Sequence, residues 1–137
     1  MIRRSFRCLP LALALLAVST VALAEHHEVK MKGEYVWERS DREIPGEIQA
    51  VFTAGEKEGT WKVVFHFEWE GEQRAWEGEA TGSLKSGKLE GHGIEERDRK
   101  RTFLFSGEVT DGVFSGDHGR ERDGEFRRSG RITFSAE

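Results

Sequence analysis

Gly107-Glu108-Val109-Thr110-Asp111-Gly112-Val113-Phe114-Ser115-Gly116 reads as a β-hairpin residue by residue. Asp111-Gly112 is a two-residue turn of the type that tolerates φ > 0, and apolar and polar residues alternate on both sides of it. Pairing outward from that turn sets Val109 opposite Phe114 and Gly107 opposite Gly116. The same spacing of glycine and apolar residues occurs earlier, in Gly82-Ser83-Leu84-Lys85-Ser86-Gly87-Lys88-Leu89-Glu90-Gly91. Read the same way, Ser86-Gly87 is the turn, Leu84 faces Leu89, and Gly82 faces Gly91. Strand direction, register and the buried face follow from these two decapeptides; a function does not.

Outside them the apolar period is also two. Trp61, Val63, Phe65, Phe67 and Trp69 share one face of a strand, while Lys62, His66, Glu68 and Glu70 take most of the other. No segment sustains a 3.6-residue apolar period, and Pro10 and Pro45 are the only prolines. Eight strands are expected, over about 29–38, 46–54, 60–70, 73–84, 88–97, 101–110, 113–121 and 126–135. Short connections imply that sequence neighbours pair antiparallel.

Turn residues then set the registers. Gly71-Glu72 as a two-residue turn places Trp69 opposite Arg74 and Phe67 opposite Trp76, and a turn at 55–58 places Phe52 opposite Trp61. Arg122-Asp123-Gly124 as a three-residue loop places Phe114 opposite Ile132. The Asp98-Arg99-Lys100 connection is set by the need to keep Phe103 and Phe105 inside. In these registers Gly82, Gly91, Gly107, Gly116 and Gly130 form one row, continued by Trp61, Phe52 and Gly33. Such a row lets strands bend sharply and accept rings packed over it, or it hollows out a cavity. Curvature is the preferred reading.

The expected fold is therefore all-β: a single up-and-down antiparallel meander of about eight strands closing into a small lipocalin-like barrel, with an open two-layer β-sandwich as the alternative. The outward positions carry Glu77, Glu79, Glu90, Glu96, Glu108, Asp117, Arg127 and Arg131, which suits water and not lipid. Gly59-Thr60-Trp61 resembles the G-x-W element that opens the first strand of lipocalins. Here it opens the third strand and the other short lipocalin motifs are absent, so the resemblance adds only the similar barrel shape.

Residues 1–24 have the form of a cleaved signal peptide: basic Arg3, Arg4 and Arg7, an apolar run from Leu9 to Leu23, and small residues at Ala22 and Ala24. The expected division is signal peptide 1–24, flexible mature N-terminus 25–28 and barrel domain 29–137, in an exported protein, periplasmic or secreted. The mature chain keeps no cysteine, because Cys8 leaves with the leader. Losing three arginines takes the formal charge from −4 to −7, with 18 basic residues against 25 acidic ones. A net-acidic chain without a basic stripe is a poor nucleic-acid binder. No integral membrane association is expected after cleavage, and the sequence does not identify a protein partner.

Seen along the barrel axis, Leu84, Leu89, Val109, Phe114, Ile132 and Phe134 plug one end. The inward positions of the other end are mixed, and Trp37, Trp69, Arg74, Trp76, Arg97, Arg101, His118, Arg120 and Arg128 are the candidate ligand-binding residues. Either the arginines cap Glu95 and stack on tryptophan, or they form a cationic aromatic mouth for a small anionic or amphipathic molecule. His118 beside Arg128 is expected to be neutral at pH 7. A nucleophile elbow, a phosphate loop and a paired inward carboxylate are all missing, so the chain is expected not to be an enzyme and to need no cofactor. A structural or protein-interaction module of the cell envelope, with a filled core, is the alternative function.

Cleavage after Ala24 would begin the mature chain Glu25-His26-His27. An amine, two deprotonated amides and a third-position imidazole can hold Cu(II) or Ni(II) in a square plane. Intact-mass measurement of the exported protein is expected to place its first residue at Glu25. In that form one equivalent of Cu(II) should give a visible d–d band that His27→Ala removes.

Overall fold

Eight consecutive strands wrap into one closed antiparallel barrel: β1 (Glu28–Arg39), β2 (Arg42–Ala54), β3 (Thr60–Trp69), β4 (Glu72–Gly82), β5 (Gly87–Glu95), β6 (Thr102–Thr110), β7 (Val113–Arg122) and β8 (Glu125–Ala136). The computed structural model describes residues 28–69 and 71–137, with the backbone alone at Trp69. The expected leader and the Glu25-His26-His27 terminus lie outside the described residues. No hairpin turn joins β8 to β1, yet they pair from Met31 with Ala136 to Trp37 with Gly130, which closes the sheet. The open sandwich is thereby ruled out. β1 starts at Glu28, inside the segment expected to be flexible, and β2 starts at Arg42, four residues before its expected beginning.

Alternation puts the rings inside. Phe52, Phe65, Phe105, Phe114 and Phe134 are each 1% exposed or less. They pack edge-on or stacked, with Phe65 and Phe105 centroids 5.2 Å apart and Phe114 and Phe134 at 4.5 Å. Burying a side chain of this size contributes about 1.5–3 kcal/mol, so the five rings, with buried Met31, Ile48, Leu89 and Ile132, supply much of the barrel's cohesion. Half-buried Trp61 edges onto Phe52 and donates its indole N–H to the Gly82 carbonyl at 3.0 Å.

The second decapeptide folds as expected: Asp111 at φ 50° and Gly112 at φ 78° make the turn, and Val109 pairs with Phe114. The first does not. β4 stops at Gly82, whose φ is 134°, and residues 83–86 form a longer loop in which Ser83 Oγ accepts the N–H groups of Lys85 and Ser86. Gly82 consequently pairs with Leu89 and not Gly91. Aspartate enters the left-handed region more readily than serine, which explains why similar decapeptides close differently.

Other registers also differ from expectation, always by an even number of residues. Gly71, at φ 81°, lies between Trp69 and its partner Glu72, so Phe67 pairs with Arg74 and Phe65 with Trp76. A loop over 55–59 ending in Gly59 at φ 77° pairs Ala54 with Trp61 and Phe52 with Val63. Across β5 and β6, Leu89 faces Gly107 and Gly91 faces Phe105. Even shifts leave every apolar set on its face, whereas odd ones would not.

The last hairpin needed more than a shift. Asp123 at φ 55° and Gly124 at φ 77° form a two-residue turn that pairs Arg122 with Glu125, in place of the expected three-residue loop. Continued regularly, that register would set Phe114 against Thr133 and turn β8 inside out. A β-bulge prevents this: Gly119 pairs with Arg128, His118 pairs with Gly130, and Ser129 is left out of the ladder. Phe114 therefore meets Phe134, not Ile132.

The continuous glycine row is not formed. Gly107 and Gly116 do face each other, but Gly91 lies opposite Phe105 and Gly130 opposite His118. A Cβ at Gly91 would strike the Phe105 ring, and one at Gly130 would strike the His118 imidazole. Gly46 stands in the same relation to Tyr35, and Gly93 to Phe103. These glycines are the space into which neighbouring rings lie.

Deleting Ser129 should leave a regular ladder, so the variant is expected to fold with native near-UV circular dichroism. Deleting Thr133, which would turn Phe134 outward, is expected to abolish the cooperative urea transition. Gly107→Val, whose side chain would meet the Ser115–Gly116 backbone, should cost about 2–3 kcal/mol in the same measurement.

Candidate functional site

Above the phenylalanine floor, at the end bearing the β1–β2, β3–β4, β5–β6 and β7–β8 connections, the barrel holds a cavity of about 110 Å³, partly open to solvent. Six of the expected residues line it: Trp37, Arg74, Trp76, Arg101, His118 and Arg120. Two do not. Arg97 projects from the β5–β6 connection, 71% exposed, with the Glu72 carboxylate 4.0 Å away. Arg128 stands on the outer wall, because the Ser129 bulge reverses the parity that would have turned it inward. There it bonds Asp117 at 2.8 Å and grips Glu38 across the β8–β1 seam, holding that carboxyl below its usual range. The Trp69 side chain lies outside the described residues.

Tyr35, Ile48, Phe67, Thr102, Phe103, Gly119 and Ser129, none of them among the candidate ligand-binding residues, also line the cavity, as does Ile132, which was expected in the plug at the other end. Phe67 was legible as an inward residue of this end, and Tyr35, Ile48 and Phe103 as inward residues by alternation. Their register, which decides that they meet at this end, was not.

Charge in the cavity is less free than the count of arginines suggests. Glu95 is 1% exposed, and a carboxylate so far from water requires a partner. Arg74 Nη1 supplies it at 2.5 Å, and Arg101 Nε lies 3.9 Å from the other oxygen and 3.5 Å from Asp98. Arg74 also reaches Glu72 at 3.3 Å. Arg120 is different. Its guanidinium lies over the Trp37 ring at 5.7 Å, as does that of Arg39, and among the described residues neither cation forms an ion pair. The first expected role is present in both its parts: Arg74 and Arg101 cap Glu95, and Arg120 rests on the Trp37 ring.

Two buried donors on lining residues, Trp76 Nε1 and Arg74 Nε, have no hydrogen-bond partner among the described protein groups. Trp76 itself is held by stacking on Phe67, with centroids 5.5 Å apart and planes 16° from parallel. A buried donor left unpaired costs about 1–3 kcal/mol, and an acceptor brought to it relieves part of that cost.

His118 forms the opposite wall, edge-on to Tyr35 and Trp37. Its Nε2 donates to the Val36 carbonyl at 3.0 Å, which assigns the proton to that nitrogen. Burial is the main cause that lowers its pKa, and the Arg128 charge adds to it, against the Val36 bond and the Asp117 and Glu38 carboxylates. The direction matches the expectation; the leading cause is desolvation and not the arginine.

Among the described residues no group of three or more His, Cys, Asp or Glu side chains is gathered to hold a metal ion. Compared with protein-family models, curated proteins and solved structures, the chain matches none.

An imidazole whose folded pKa lies below its unfolded value of 6.5 takes up its proton more readily when the chain unfolds. The stability it contributes is complete above pH 6.5 and declines as pH falls toward the folded pKa. Urea midpoints are therefore expected to drop between pH 7 and pH 5, and to drop less in His118→Gln. An NMR titration placing the His118 midpoint above 7 would contradict this.

Proposed function

We propose that this is an exported, non-enzymatic barrel, periplasmic or secreted, that binds a small anionic aromatic molecule in its end cavity. The observation that carries the reading is a cavity walled by Trp37, Trp76 and Phe103, with the guanidinium of Arg120 at its side and no acid neutralising it among the described residues. An aromatic carboxylate would place its ring between those walls and its charge on Arg120, while an acceptor atom could engage Trp76 Nε1.

Size selects among anions. A cavity of about 150 Å³ accommodates benzene, so about 110 Å³ open at one side suits a single ring. The phenylalanine floor leaves no channel for a long acyl chain. The charged outer wall, exposed at Glu77, Glu79, Glu90, Glu108 and Arg131, supports work in water; Arg127, expected there, pairs with Arg120 and shares its face because of the bulge.

The alternative of a structural or protein-interaction module draws support from the same floor, because most of the interior is packed with rings. Isothermal titration with benzoate separates the two. Binding is expected to quench tryptophan fluorescence and to weaken about tenfold in Arg120→Ala, the scale of one lost charge-assisted hydrogen bond. Arg97→Ala should bind as the parent does. Absence of heat, and unchanged Trp37, Trp76 and His118 resonances at millimolar benzoate, would favour the structural module.

A further inference from the structure

The β2–β3 ladder ends where Ile48 pairs with Phe67. β2 nevertheless runs on beside β1 to the Arg39–Arg42 pair, and β3 beside β4 to the Trp69–Glu72 pair. The two hairpins part there like a fork, leaving residues 42–47 of β2 without ladder partners on the β3 side among the described residues. A cleft of about 680 Å³ occupies the fork, with Arg39, Gln49, His66, Glu68 and Gln73 on its walls.

This cleft and the end cavity share a wall. Tyr35 and Phe67 line both, with their rings 5.4 Å apart, and Tyr35 Oη crosses the fork to donate to the Glu68 carbonyl at 3.0 Å. Arg39 links the compartments a second time: it lines the fork and lies over Trp37, which lines the cavity.

We infer that fork and cavity form one bipartite site, whose occupant is a short extended peptide bearing an aromatic side chain and a free carboxylate. The inference rests on the reading that the end cavity takes an anionic aromatic group. The ring enters the cavity, the carboxylate meets Arg120 and Arg39, and the main chain lies along the open edge of β2. Another extended chain is the group that best matches such an edge, since it offers N–H and C=O at strand spacing. A peptide N–H takes over the Glu68 carbonyl when the Tyr35 hydroxyl gives way. Pro45 has no N–H to contribute, so the edge pairs with a short run and not a full strand.

Calorimetric titration of the mature protein with benzoate, N-acetyl-phenylalanine and N-acetyl-Gly-Gly-Phe tests this. The last two share ring and carboxylate and differ in main chain. The tripeptide is expected to bind about tenfold more tightly than N-acetyl-phenylalanine. Gln49→Trp, an exposed position on the fork wall away from the end cavity, should remove that advantage and leave benzoate unaffected. Equal affinity for the two phenylalanine compounds, or a tripeptide advantage that survives Gln49→Trp, overturns the inference, while benzoate binding keeps the end-cavity reading. Failure of all three ligands to bind overturns both.

Discussion

Side chains of a β-strand alternate between faces, and in a barrel with rings inside and charges outside that alternation governs every other choice the chain makes. A ladder can slide by two residues and keep its core, but a slide by one exposes it. The β2–β3, β3–β4, β4–β5, β6–β7 and β7–β8 hairpins use that latitude, settling where a glycine or aspartate takes positive φ. Only in β7–β8 does the turn demand an odd step, and there one unpaired residue, Ser129, restores the face of Ile132 and Phe134. The bulge has a second effect. It transfers Arg128 to the outer wall, where the guanidinium ties β8 to Glu38 of β1 across the seam that no turn connects.

The interior is graded by what lies opposite each glycine. Where Gly91 and Gly93 make room for Phe105 and Phe103, rings spread across the sheet and fill the barrel. Toward the other end Gly130 makes room for an imidazole and Gly46 for a phenol, groups that retain polar atoms. Those atoms bond main chain, His118 to Val36 and Tyr35 to Glu68, so they help to shape the cavity wall without adding charge to it. Removing water from Glu95 commits Arg74 and Arg101 to it. The proposed binding chemistry consequently depends on Arg120 and Arg39, the arginines that rest on Trp37.

Much of the candidate site was legible from parity, since Trp37, Arg74, Trp76, Arg101, His118 and Arg120 all occupy inward positions near one end. Arg128 was not, because a bulge carries no signature in composition: Ser129 is an ordinary strand residue until a turn upstream forces the register. Arg97 was misplaced for a simpler reason. β5 ends at Glu95, so alternation says nothing about residues beyond it.

Local sequence determined the strands, their antiparallel order and the identity of the buried face, because period-two hydrophobicity and turn residues act over a few positions. The tertiary structure decided whether β8 meets β1, how far each ladder slides, and which acids neutralise which arginines. Those outcomes depend on contacts between residues tens of positions apart, such as Arg128 with Glu38 and Tyr35 with Glu68, whose energies appear only once the sheet has closed.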